Sequence, residues 1–272
     1  MQLFSSWTGG DFLLFYIMLL ALSVAAAWWL PAFLREPGRR GESDDIESIA
    51  LLAGGRQRMT DSLLADLYVR GGLAPLDAGK LVVAEPNLSA SPAGQALLSI
   101  ASPLTLPDAR RAIQAHSDRV AARLRRAGLL LRPEEHARIR WISVAPLAAL
   151  FFVGVYRQRA GSALGEPTGF LVILLAMTAV LAVIRFVVTD PRTAAGVAAV
   201  KDLRARSQRF SRAPRSDEVA MAVALFGTGV LVGTPWEPVH AMRQPGNDGG
   251  GADGDSGGGS GCGGGGCGGC GG

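Results

Sequence analysis

The chain has 272 residues, a net charge of +4, 49% hydrophobic residues and a mean hydropathy of +0.25. All three cysteines (Cys262, Cys267, Cys270) and 17 of the 36 glycines lie in residues 246–272. This excludes a disulfide scaffold, a cysteine nucleophile or a thiolate metal site from residues 1–261, and so glycine-rich a chain can reach this hydropathy only by pooling its apolar residues in a few segments.

The first pool is residues 12–34, without a charge between Asp11 and Arg35. Its 23 residues extend about 34 Å as a helix, enough to cross a bilayer core of about 30 Å. Trp7, Trp28 and Trp29 flank it as interfacial aromatics do. Residues 1–11 hold no Lys or Arg and no small-residue cleavage site follows, which favours an anchor over a signal peptide. Arg35, Arg39 and Arg40 follow the run, so the positive-inside rule predicts residues 1–11 outside and residue 35 onward in the cytoplasm.

Residues 35–47 read as a linker and residues 48–140 as a cytoplasmic domain. A helix over 46–53 is expected to stop at Gly54-Gly55. Thr60 is placed to cap a second helix running to Arg70, which Gly71-Gly72 would end. Residues 73–76 and 80–83 predict a β-hairpin. Helices over 91–101, 107–115 and 117–127 follow, then a Gly128 stop and an extended 129–131. Helix, glycine stop and apolar strand occur twice, which suggests two winged-helix-like units, the first with a plausible wing and the second with little of one. Arg119, Arg123, Arg125 and Arg126 in the second unit, and Arg56, Arg58 and Arg70 in the first, would form the faces that meet a nucleic acid. Asp61 and Asp66 on the first unit's helix oppose such a role.

Residues 141–156 and 168–189 predict a transmembrane hairpin around an external loop, 157–167. Arg185, near the end of the second helix, is expected to snorkel to the headgroups. A buried helical pair in a soluble domain is the alternative. Residues 190–245 open with seven basic side chains in 190–218, an ordinary cytoplasmic flank. Within this region, 219–233 is apolar but only 15 residues long with three glycines, a length that suits a buried or interfacial helix better than a fourth span. A fourth span would put the tail outside; without one the tail stays in the cytoplasm. Residues 246–272 should be a disordered coil. Their C-x4-C-x2-C spacing offers Cys262, Cys267 and Cys270 as weak ligands for a soft metal such as Zn or Cu(I).

No motif carries catalysis. His116 and His136 lack a second ligand at metal spacing, no serine sits in a G-x-S-x-G elbow, and Leu52-Ala53-Gly54-Gly55-Arg56 lacks the Gly-Lys of a phosphate loop. The expected fold class is a mainly α membrane protein with three transmembrane helices, a small winged-helix-like α+β cytoplasmic domain and a disordered Gly/Cys-rich tail. The expected function is a non-enzymatic scaffold or sensor without catalytic residues or cofactors, its partners the lipid bilayer and a protein. Two alternatives stand beside it: a membrane-tethered DNA-binding regulator, and a modification substrate or metal-binding protein acting through the tail.

Five stretches, residues 49–73 (IALLAGGRQRMTDSLLADLYVRGGL), 127–131, 168–188, 222–227 (AVALFG) and 257–272, carry a resemblance. Together they resemble a family of uncharacterised bacterial membrane proteins with this layout and a Gly/Cys-rich end. The resemblance covers essentially the whole chain. It implies a membrane location, here the bacterial inner membrane, and transfers no catalytic residue. It also favours a cytoplasmic or interfacial 219–233, because a proline-containing helix, here 235–242, follows that segment.

Overall fold

The computed structural model describes residues 9–39, 45–76, 80–163, 169–243. The described chain is mainly helical, with one two-stranded hairpin. Among the described residues, three helices are long and apolar enough to cross a membrane: α1 (Gly9–Leu34), α5 (Pro133–Ala163) and α6 (Gly169–Val187). The chain is thus a multi-pass integral membrane protein. The apolar run 141–156 is only the middle of α5, whose 31 residues extend about 46 Å. Pro133 opens it and Glu134 and Glu135 lie in its first turn, where negative charge meets the positive helix end. Flanking arginines shorten the apolar run without ending the helix, because the backbone bonds do not depend on side-chain polarity.

The membrane bundle packs α5 between α1 and α6 around Phe12, Tyr16, Leu20, Leu147, Leu150 and Leu175. Gly154 permits this approach: a Cβ there would lie 2.7 Å from Leu175 Cδ2 and 2.8 Å from Tyr16 Cε2. Small residues at helix contacts serve this purpose in bilayers. Tyr16 Oη and Thr178 Oγ1 are 3.1 Å apart, which joins α1 to α6 through a polar pair. Leu14, Met18, Phe152, Phe170 and Ile173 face outward, an apolar belt suited to lipid.

The remaining elements form one domain beside the bundle. They are α2 (Ile46–Val69), β1 (Leu73–Leu76), β2 (Lys80–Val83), α3 (Pro92–Leu98), α4 (Leu106–Arg126), α7 (Ala194–Arg206), α8 (Val219–Phe226) and α9 (Glu237–Ala241). The hairpin forms as expected, with Leu73 opposite Val83 and Leu76 opposite Lys80. Gly71, at φ +78°, ends α2 as expected, and the Gly72 N–H closes the turn on Leu67 O. Gly54 and Gly55 leave helical geometry, with φ +72° at Gly55, so the first helix stops there as expected and α2 is two helices across a kink. Three local expectations fail. Thr60 does not cap the second of these helices but lies inside it, where its hydroxyl donates to Arg56 O. The predicted helices over 107–115 and 117–127 are one helix, capped by Thr105, because nothing at His116-Ser117 breaks the backbone ladder. The helix that Ser91 caps ends at Leu98, not near residue 101.

Segment 219–233 contributes α8, whose eight residues extend about 12 Å, too short to span, and it takes the buried one of the expected placements. Val219, Val223 and Leu225 are fully buried, most extensively against α2, where the Ser62 hydroxyl donates to Ala220 O at 2.7 Å. The domain is therefore built from two stretches, 45–132 and 189–243, with the α5–α6 hairpin inserted between them. The second helix–glycine–strand unit has no hairpin among the described residues, and Leu130 instead bridges Arg192 from the far side of the insertion, so the observed elements do not support a pair of winged-helix units. The C-terminal tail with Cys262, Cys267 and Cys270 lies outside the described residues.

Candidate functional site

Three segments meet where the bundle joins the domain: 35–39 after α1, 128–132 before α5 and 188–193 after α6. Their backbones satisfy one another. Ala194 and Ala195 donate to Glu36 O and Pro37 O at 3.0 and 2.9 Å. Leu131 donates to Pro191 O at 2.9 Å, Thr193 to Leu129 O at 3.1 Å and Arg39 to Gly128 O at 3.4 Å. The Thr193 side chain adds two links: its oxygen accepts from Gly196 N–H to cap α7, and its hydroxyl donates to Gly128 O at 2.8 Å. A Cβ at Gly196 would lie 2.3 Å from Leu129 O, and one at Gly38 (φ +69°) would lie 2.5 Å from Gly128 O. Only glycine allows this collar to close.

Cationic and histidine side chains close the end of α6. Arg140 Nε donates to Phe186 O at 2.9 Å with its guanidinium 4.0 Å from the Phe186 ring centre. Arg185 Nη1 donates to Val188 O at 3.0 Å, and His136 Nε2 lies 3.2 Å from Thr189 O. Positive charge suits a helix C-terminus, whose last carbonyls lack intrahelical partners. Arg185 is only 8% exposed, and its Nε donates across the bundle to Ala27 O at 2.8 Å.

A partly enclosed cavity of about 210 Å³ opens at this level, lined by Trp28, Arg35, Ile139, Arg185, Val188 and Asp190 among others. Arg192 holds the Asp190 carboxylate by a fork, with Nε 2.9 Å from Oδ1 and Nη2 3.0 Å from Oδ2. Arg35 stands 3.6 Å away. Burial pushes the Asp190 carboxyl up, but hydrogen bonds and charge from Arg192, with Arg35 behind them, hold it below the usual carboxylate value.

A second polar cluster lies inside the domain. Arg58 Nη1 donates to Val223 O at 3.3 Å and Arg204 Nε to Leu225 O at 2.9 Å, so two guanidinium groups close the C-terminus of α8. Burial lowers the pKa of both. Asp61, one turn from Arg58, is buried with Arg243 Nη1 3.4 Å from its Oδ2. Burial pushes the Asp61 carboxyl up against the opposing pull of Arg243, Arg58, Arg110 and His240.

The arginines singled out from the sequence do not converge on one site. Arg119, Arg123 and Arg126 lie on the exposed side of α4, and Arg123 pairs with Asp45 at 3.7 Å. Arg56 pairs with Asp118 at 2.6 Å, Arg70 is held by Asp66 and Ser89 O, and Arg58 is spent on α8. Arg56 also lines a shallow cavity of about 190 Å³ with Arg110 and Arg111. His116 lies 2.6 Å from Glu47, which also accepts from the Ser91 hydroxyl. No metal-binding group of three His, Cys, Asp or Glu occurs among the described residues. Sequence reasoning missed the junction, although it carried one signal: an arginine inside an apolar span needs a partner.

No family model, curated protein or solved structure matches the chain.

Proposed function

We propose that this protein is a non-enzymatic scaffold or sensor of the bacterial inner membrane, with its N-terminus outside and the two-part domain in the cytoplasm. The collar at the junction carries the reading. It ties the exits of α1 and α6 and the entry of α5 by backbone hydrogen bonds and not by a loose linker. A shift among the spans is therefore transmitted directly to the domain surface. Orientation follows from charge: Arg35 and Arg39 and the basic stretch after α6 lie on the domain side of the spans. In the domain, the arginines reaching the Val223 and Leu225 carbonyls serve packing, which supports a structural role.

With 219–243 in the domain core and three spans, the tail starts on the domain side. Its cysteines are the chain's only thiols. A membrane-impermeant thiol reagent should leave intact cells unlabelled and label them after permeabilisation; labelling of intact cells overturns the orientation. The DNA-binding alternative draws only on the exposed stripe of Arg119, Arg123 and Arg126, and predicts salt-dependent duplex binding by the whole protein. The tail alternative predicts protection of Cys262, Cys267 and Cys270 by Zn or Cu(I).

A further inference from the structure

We propose that the junction cavity binds the phosphate of one anionic phospholipid headgroup. The proposal rests on the membrane placement argued above and adds a ligand to it.

The first argument is charge. Arg35 and Arg185 line the cavity, and the only carboxylate there among the described residues, Asp190, is taken up through both oxygens by Arg192. Arg35 also stands 3.6 Å from that carboxylate, and Arg185 has no carboxylate partner among the described residues, so two guanidinium groups on the cavity wall meet one carboxylate that Arg192 already holds. The second is donor geometry. Arg185 spends Nε on Ala27 O and Nη1 on Val188 O. Its Nη2 donates to no atom among the described residues, so a fixed, oriented N–H pair remains for an oxyanion.

The third argument is size and place. At about 210 Å³ the cavity is smaller than the roughly 300–1,000 Å³ of pockets that enclose whole small molecules. It suits a phosphate and the glycerol beside it. Arg185 lies two residues before the end of the third span, and Trp28 two residues before the end of the first, which is headgroup level. Trp28 is half exposed, and Trp29 and Val187 beside it face outward. Acyl chains can thus run down the bundle while the phosphate stays at the arginines. Basic pockets between helices at the membrane surface hold anionic headgroups for the same reason.

The test uses the full chain purified in detergent from membranes that contain phosphatidylglycerol and phosphatidylcholine, with retained lipids counted by native mass spectrometry. One phosphatidylglycerol per chain should be retained in preference to phosphatidylcholine. Arg35→Gln should weaken that preference about tenfold, the loss of one charge-assisted phosphate contact. Arg206→Gln, on the exposed end of α7, should leave it unchanged. Equal retention of the two lipids overturns the proposal, and so does an unchanged preference in Arg35→Gln. Inorganic phosphate that raises the melting temperature as much as phosphatidylglycerol does, with no lipid preference, makes the cavity a site for a soluble anion and also overturns it. Should Arg35→Gln fail to fold, the comparison of lipids on the unaltered chain still decides. Alkaline carbonate extraction is read separately: release from the membrane refutes the membrane placement itself, whatever lipid is retained.

Discussion

Asp61 Oδ2 lies 3.4 Å from Arg243 Nη1 and accepts no hydrogen bond. The two side chains are unequal partners: the carboxylate is 2% exposed and the guanidinium 26%. The pair joins the middle of α2 to the residues just beyond α9, and so holds the end of the second stretch against the first. A buried charge with one poorly aligned partner is unfavourable unless its surroundings compensate. Here Arg58 and Arg110 add positive potential without contact.

This arrangement fixes a pH dependence. Burial raises the Asp61 pKa above its unfolded value, so the folded state holds the proton more tightly. The stability contributed by Asp61 is fully present below the unfolded carboxylate pKa and is lost as pH rises through the folded one. Asp61→Asn keeps the shape and removes the titration. Its melting temperature, relative to the unaltered protein, should climb between acid and neutral pH. A difference that stays flat across that window would show that Asp61 is not buried in this way.

Asp190 should behave in the opposite sense. Its pKa is depressed in the folded state, so its contribution is present above the unfolded pKa and is lost as pH falls through the folded one. Asp190→Asn breaks the fork with Arg192 and should cost about 2 kcal/mol at neutral pH. The deficit should shrink on acidification, as melting curves over the same pH series will report. A deficit that grows in acid contradicts this assignment.

Gly154 sets the spacing of the bundle. Gly154→Leu forces a side chain between Tyr16 and Leu175 and should destabilise the detergent-solubilised protein by about 1–3 kcal/mol. Gly169→Ala meets open space and should be silent. Equal melting temperatures for the two variants would mean that α1, α5 and α6 do not pack at this distance.

The place of α8 is tested by Val223→Asp. Val223 is fully buried, and an unpaired charge there should cost more than about 3 kcal/mol. Limited proteolysis should find the domain opened while the three spans still resist carbonate extraction. A domain that keeps its protease resistance would place α8 elsewhere.

Much of this architecture is legible in the residues because it is local. The spans at α1 and α6 follow from hydropathy over about twenty residues. The β1–β2 hairpin and the Gly71 stop follow from turn chemistry that needs no distant partner. The junction was less legible. Arg185 and Arg35 each satisfy an ordinary membrane rule alone, and only their shared proximity to Asp190 and Trp28 makes a site of them.

By itself, then, the sequence determined that the protein is embedded in a membrane, because transfer of an apolar helix into lipid depends on that helix's own composition. It also confined every thiol to residues 246–272. The tertiary structure alone decided what the short apolar segment 219–233 does. An eight-residue apolar helix can be buried in any apolar environment, and which one depends on the face awaiting it. That face belongs to α2, more than 150 residues earlier in the chain, where Ser62 meets Ala220. The same long-range pairing brings Asp61 to Arg243 and turns two unremarkable charged positions into a buried pair.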